Sequence, residues 1–332
     1  MGKEFKILYW NIHFKEGSGK EITLRNSSII INDIINKYDT EIDAIVFTEA
    51  YPQLNNKNNK YEKYNTMILD HLKKLGYYVY PYDAPNYNKP EEYPYQDEKK
   101  CTNGILIATK HDSEIIGEPK KEPNALGINI KKIGLNLIGV RFFSNIGEEK
   151  YIDHIEIISN YLNDAKPNIV IGDFNIDDES LKRYISKSNV KLNVCKTSEY
   201  GTNVALYKKD PVTAVFVINN PDKLLFSNCN NPKFELLETP EQIYCKKEYV
   251  DDCKLKGNGL INERYGRLNE KICELIIKSF PKQKRAGVKI RKDIDFIKDR
   301  YKKFGISFTY NSSNVCITPF PDHNLMLGSV EV

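Results

Sequence analysis

The chain has 332 residues, 40% of them hydrophobic, and its 49 basic and 45 acidic side chains leave a formal charge of +4. This composition is globular and supports a sizeable core in one large domain or two ordinary ones, while the near balance of charge permits a nucleic-acid substrate without demanding one. Seven scattered cysteines, an odd number, argue against a disulfide framework, and no segment approaches the ~20 apolar residues of a membrane span, so a soluble, unexported, cytoplasmic protein with free thiols is expected.

Phe5 to Trp10 reads as a strand leading into Asn11, Ile12 and His13. Leu24, Ile31, Ile34, Ile35 and Tyr38 recur at near-helical spacing and predict a helix that covers a sheet. The run Ala44 to Phe47 is a second buried strand, ending in Thr48, Glu49 and Ala50. Residues 51 to 63, with four Asn and three Lys, read as a mobile, solvated surface segment. A helix around Thr66 to Leu75 stops at Gly76, and Tyr77 to Tyr80 resume an extended pattern. Pro81 to Lys100 holds four prolines and four tyrosines (Tyr82, Tyr87, Tyr93, Tyr95), a long loop whose rings either stack on bases or cover the loop's own core.

Asn103 to Ala108 and Leu135 to Phe142 are further strands, the second carrying an unusual Arg141. Ile155, Ile157, Ile158, Tyr161 and Leu162 mark a helix over Tyr151 to Leu162. The chain then enters Ile169-Val170-Ile171-Gly172-Asp173-Phe174-Asn175, where β-branched residues predict a buried strand and the glycine ends it. A carboxylate and a carboxamide follow, two residues apart. If the extended period of two persists through Phe174, Asp173 and Asn175 point the same way and the ring packs into the layer behind.

Thr213 to Ile218 reads as one more buried strand. From about Cys229 to Gly305 periodic apolar residues (Ile272, Leu275, Ile276, Phe280, then Ile294, Ile297, Tyr301, Phe304) predict a helical insertion, residues 229–305, within a single domain of residues 1–332. Inside it, Lys278 to Lys292 carries seven basic residues and no acid, which is either a solvated face or the footprint of phosphate-backbone binding. The chain closes with Pro321-Asp322-His323-Asn324 and a last strand, Leu325 to Val332. The alternation of strand and helix argues an α/β fold.

Gathered at predicted strand ends are Asn11, Glu49, Asp173, Asn175, Asp322 and His323. One carboxylate alone is weak evidence, since a cap or turn role stands against each. Together they suit the hydrolysis of a phosphate ester with a divalent cation. Carboxylate oxygens hold Mg²⁺ or Mn²⁺, an amide donates to non-bridging oxygens, a carboxylate orients or deprotonates water, and an imidazolium stabilises transition-state charge.

In Leu8-Tyr9-Trp10-Asn11, Phe47-Thr48-Glu49, Asn103-Gly104-Ile105-Leu106-Ile107, Gly172-Asp173-Phe174-Asn175 and Pro321-Asp322-His323, the chain resembles the endonuclease/exonuclease/phosphatase superfamily, which includes deoxyribonuclease I and the inositol polyphosphate 5-phosphatases. The pieces fall in family order and span the chain apart from the insertion. The resemblance implies a four-layer α/β sandwich, two mainly antiparallel sheets packed face to face with helices outside. It also implies a Mg²⁺- (or Mn²⁺-) dependent phosphodiesterase, foremost a nuclease with nucleic acid as substrate. A phosphatase or phospholipase acting on inositol phosphates or phospholipids is the runner-up, and a binding protein with a decayed site the third reading. By position, the resemblance makes Glu49 the principal metal ligand, with Asn11 arranging the metal site. Asp173 positions or activates water, Asn175 holds the scissile phosphate, and His323 contacts it. Asp322 is a metal ligand or the partner of the imidazole.

Two positions depart from the family pattern. Arg141 and Phe142 stand where members often carry a histidine; Arg141 supplies a permanent positive charge but no transferable proton near neutral pH. The acid that commonly opens the strand placed at Thr213 to Ile218 is missing, Thr213 standing there, with Asp210 and Asp295 as alternatives.

Overall fold

Apolar runs of this sequence that lack a polar alternation become the central strands, covered on both faces, of two six-stranded sheets whose edges are more exposed. The computed structural model describes residues 2–12, 21–50, 62–82, 104–117, 125–142, 147–197, 202–208, 214–238, 243 and 323–332. In chain order the elements are β1 (Glu4–Asn11), α1 (Glu21–Tyr38), β2 (Ala44–Thr48), α2 (Glu62–Lys74), β3 (Tyr78–Tyr82), β4 (Ile105–Thr109), β5 (Ser113–Ile116), β6 (Ala125–Ile130) and β7 (Leu135–Arg141). They continue with α3 (Glu148–Ile158), β8 (Asn168–Asp173), α4 (Asp178–Lys187), β9 (Asn193–Val194), β10 (Asn203–Lys208), β11 (Ala214–Asn219), β12 (Asp222–Ser227), β13 (Asn230–Glu238) and β14 (Leu325–Glu331).

The first sheet runs β13-β14-β1-β2-β4-β3 and the second β5-β6-β7-β8-β12-β9. Each holds one parallel pair at its centre, β1 with β2 and β7 with β8; the other pairings in the two sheets are antiparallel. A parallel pair needs a crossover, and α1 and α3 lie in those two crossovers. The two sheets enclose an apolar layer that includes Tyr9, Val46, Ile107, Leu137, Ile171 and Leu224. On the outer face of the first sheet, Leu8, Trp10, Ile45 and Phe47 pack with Ile31 and Ile35 of α1 and Leu72 of α2. On the outer face of the second, Ile138, Val140 and Val170 pack with Ile155 of α3 and Leu181 of α4. The order of layers is therefore helix, sheet, sheet, helix, the sandwich expected from the sequence.

This topology places the site. Parallel strands end on the same edge of a sheet, so Asn11 and Glu49 leave the first sheet together while Arg141 and Asp173, paired in register, leave the second. Antiparallel neighbours begin where those strands end. Asp222 opens β12 opposite Asp173, and His323 precedes β14. At the far edge of the second sheet a run of buried amides closes the register: Asn129 donates to Asn136 (2.7 Å) and Asn136 to Asn168 (3.0 Å), across three adjacent strands.

Several expectations need correction. Gly172 does not end its strand, because β8 runs on to Asp173. Its lack of a side chain serves close approach instead: a Cβ there would stand 1.9 Å from the Val140 carbonyl oxygen. The strand placed at Thr213 to Ile218 exists as β11, but it pairs with β10 in a separate two-stranded ribbon. The segment read as insertion from Cys229 starts with β13, an edge strand of the first sheet with two register irregularities, one of them spanning Pro232. The basic block at Lys278 to Lys292, the Asn- and Lys-rich segment through residue 61 and the tyrosines at 87, 93 and 95 lie outside the described residues. Among the described residues no helix is long and apolar enough to cross a membrane.

His154 of α3 packs edge-on against Phe142 (ring centroids 5.2 Å apart), and burial pushes its imidazole down to about 4 from 6.5. Between those values the unfolded chain takes up a proton that the native state refuses. Native stability is thus complete above pH 6.5 and declines as the pH falls toward 4, by on the order of 3 kcal/mol from this group. Urea unfolding at pH 7 and pH 5 is expected to give a smaller pH-dependent loss in His154→Leu than in wild type. Identical losses in the two proteins would remove His154 as a source of acid sensitivity.

Candidate active site

Six side chains from four strand ends and two strand starts meet at the shared edge of the two sheets: Asn11, Glu49, Arg141, Asp173, Asp222 and His323. Asn11 sits at the centre. Its Nδ2 faces Asp173 Oδ2 at 3.1 Å, Glu49 Oε1 at 3.4 Å and His323 Nε2 at 3.4 Å, joining one sheet to the other. Arg141 crosses the gap from β7 to Glu49, donating through Nη2 at 2.8 Å and Nε at 3.3 Å to Oε1, and a further bond from Nη1 to the Phe142 carbonyl steadies the guanidinium.

Asp173 is all but excluded from solvent and receives several donors. The Asn175 backbone N–H donates to Oδ1 (2.9 Å), and the Asn175 and Asn11 amides donate to Oδ2 (2.9 and 3.1 Å). Burial still dominates and pushes its carboxyl up to about 6; His323 and Arg141 pull it down, while Asp222 and Glu49 push it up. Phe174 turns into the outer layer as expected and stacks edge-on with Phe142 (5.0 Å). The extended path does not persist, however: Asn175 has φ +50°, a left-handed conformation asparagine tolerates. Tyr151 holds that turn by donating to the Phe174 and Asn175 carbonyls. Both hydrogens of the Asn175 amide engage protein acceptors, Asp173 Oδ2 and the Phe142 carbonyl (2.8 Å). In this arrangement Asn175 orients Asp173, and a phosphate contact would replace one of those bonds.

His323 is buried, with Nδ1 2.7 Å from Asp222 Oδ2. A carboxylate only accepts, so Nδ1 carries the proton and Nε2 faces the Asn11 amide nitrogen. Trp10 fixes the backbone of this residue by donating from Nε1 to the His323 carbonyl (3.0 Å). Thr202 clamps both halves of the pair: its hydroxyl accepts from the Asp222 N–H and its carbonyl from the Asn324 N–H.

Among the described residues the acid that faces the imidazole is Asp222. Thr213, Asp210 and Asp295, the positions weighed for that acid, and Asp322, expected as metal ligand or partner of the imidazole, lie outside the described residues. The sequence did carry a signal, since Asp222 follows Pro221 and opens the apolar run Leu224-Leu225-Phe226. Tyr9 was also missed. Its hydroxyl donates to Asp222 Oδ1 (2.6 Å) and lies 3.1 Å from the Thr48 hydroxyl, and burial together with Asp222 raises its pKa well above the ordinary phenol value, so it stays a donor.

Glu49 adopts φ +50°, a left-handed conformation that costs a non-glycine, non-Asx residue of order 1 kcal/mol and is typical of side chains aimed at a function. Its carboxylate and the Asn11 amide oxygen are hard oxygen donors, and three acidic groups (Glu49, Asp173, Asp222) stand here against Arg141 and His323. Among the described residues no three acidic, histidine or cysteine side chains are placed to share one metal ion. The donor set therefore fits only a small cation such as Mg²⁺ that takes one or two protein oxygens, here Glu49 and the Asn11 amide oxygen, and completes its shell with water and phosphate.

No family model matches the chain, and no curated protein matches it. Solved structures similar to it include an endonuclease/exonuclease/phosphatase family protein from Leptotrichia buccalis (TM-score 0.48, 16% identity, covering 70% of this chain and 92% of that one). Another is beta toxin from Staphylococcus aureus (TM-score 0.49, 15% identity, 70% and 90%). A third is TDP2 from D. rerio complexed with single-strand DNA product (TM-score 0.46, 13% identity, 71% and 91%).

Proposed function

We propose that this chain is a divalent-cation-dependent phosphodiesterase that hydrolyses phosphodiester bonds of nucleic acid. The observation that carries the reading is the single hydrogen-bonded cluster in which Asn11 touches Glu49, Asp173 and His323 at once. Asp173, its carboxyl raised to about 6, acts as the base that orients a water and accepts its proton as the water oxygen bonds to phosphorus and the leaving oxygen departs. Asn175 and Asn11 hold that carboxylate in one rotamer. His323, held through Nδ1 by Asp222, donates from Nε2 to a non-bridging oxygen once Nε2 takes up a proton and gives up its contact with the Asn11 amide, and Arg141 adds a charge that no physiological pH removes. Glu49 and the Asn11 amide oxygen would hold Mg²⁺, which supplies charge neutralisation at the phosphate. Support for a polymeric anion comes from the sequence alone, in the block Lys278 to Lys292.

The test is a panel of supercoiled DNA, single-stranded DNA, RNA, inositol phosphates and sphingomyelin, each with Mg²⁺ or with EDTA. Cleavage of a nucleic acid that EDTA abolishes is expected. Hydrolysis of the small phosphates or the lipid alone would overturn the nucleic-acid assignment, and no hydrolysis of any substrate would overturn the phosphodiesterase reading.

A further inference from the structure

Asp222 is fully buried and uses its two oxygens on two different partners. Oδ2 holds the His323 imidazole at 2.7 Å, while Oδ1 accepts from the Tyr9 hydroxyl at 2.6 Å. Tyr9 comes from β1 in the other sheet, where it faces the layer between the sheets, and its ring is wedged against Phe234 (centroids 6.0 Å apart). The Thr48 hydroxyl at the end of β2 stands 3.1 Å from the same phenol oxygen. A relay thus runs from Thr48 through Tyr9 and Asp222 to His323, with every member buried.

We propose that Tyr9 is a positioning residue for the hydrolytic reaction, acting on His323 through Asp222. The inference rests on the hydrolase reading of the site. Among the described residues Tyr9 is the side-chain donor to Asp222 Oδ1. Removing the hydroxyl leaves that oxygen buried without it, which disfavours the carboxylate and frees it to rotate about its own side-chain bond. The imidazole then loses both its fixed orientation and part of the charge that supports a proton on it. Phenylalanine keeps the ring and its packing against Phe234, so the substitution isolates the hydroxyl.

Tyr9→Phe is expected to lower kcat by ~10- to 100-fold with KM nearly unchanged, as the loss of one buried hydrogen bond to a charged group implies. In a His323→Ala background the same change is expected to leave the residual rate unaltered, since the group it acts through is gone. A purely structural role would lower the rate in both backgrounds, and that result would overturn the proposal, as would a wild-type kcat in Tyr9→Phe. A second readout needs no turnover: the low-field Nδ1–H resonance of His323, assigned by its disappearance in His323→Gln, is expected to shift in Tyr9→Phe. An unmoved resonance would overturn the link between the two residues. An inactive wild type with a shifted resonance would refute the hydrolase reading while upholding the relay.

Discussion

Asp173→Asn is expected to reduce hydrolysis by about 10³-fold at saturating substrate while leaving a folded protein. The substitution is isosteric and keeps an oxygen for the Asn175 N–H or for the Asn11 and Asn175 amides, although it cannot serve all of them. One donor will face another, at a cost of ~1–3 kcal/mol, while the burial that raised the carboxyl no longer opposes a charge. Folding therefore changes modestly and chemistry does not survive, because an amide cannot take a proton from water. The checks are steady-state rates together with urea unfolding. A rate within tenfold of wild type would strip Asp173 of its role as base, and loss of folding would show that its hydrogen bonds matter more than its charge.

Gly172→Ala should destabilise the fold more than any substitution at the polar site. The added Cβ would meet the Val140 carbonyl oxygen at 1.9 Å and the Val140 carbonyl carbon at 2.7 Å. These are backbone atoms of the parallel partner strand, in register with Gly172, and they cannot rotate away as a side-chain tip can. The strands must part at the residues just before Arg141 and Asp173. A loss of roughly 3–5 kcal/mol, measured by urea unfolding or seen as insoluble expression, is expected for such overpacking against backbone. A loss under about 1 kcal/mol would mean that β7 and β8 do not approach as closely here as the register requires.

The elements that local pattern reveals are those buried on both faces. β1, β2, β7 and β8 are mostly apolar and buried along their length, and a polar residue stands at or just past the end of each, Asn11, Glu49, Arg141 and Asp173. Asn11, Glu49, Asp173 and His323 were legible from strand ends and from the family resemblance, Arg141 as a departure from its pattern, and the five converge. The partner of His323 was not, for two physical reasons. The pairing spans 101 residues, so nothing near His323 points to it. β12 also breaks the usual alternation with Lys223, a fully buried lysine whose ammonium reaches the Asp178 carboxylate and the Asn220 carbonyl. The cleaner apolar run is at β11, which belongs to the ribbon with β10. A glycine after β-branched residues signals a stop as readily as a close approach, and Gly172 serves the close approach. Tyr9 was hidden by its own ring, which reads as core, while its hydroxyl reaches a residue 213 positions away.

A second carboxylate–imidazole pair lies at the opposite edge of the first sheet, where His111 Nε2 is 3.0 Å from Asp43 Oδ1, and it offers an internal control. Asp43 also accepts from the Lys6 backbone N–H, so its loss perturbs the sheet without touching the site. The decisive measurement is kcat for Mg²⁺-dependent cleavage by Asp222→Asn beside Asp43→Asn. If His323 works through Asp222, the first variant loses about 10²-fold and the second stays within about twofold of wild type. Wild-type turnover in Asp222→Asn, or an equal loss in both variants, would contradict a site built on the Asp222–His323 pair.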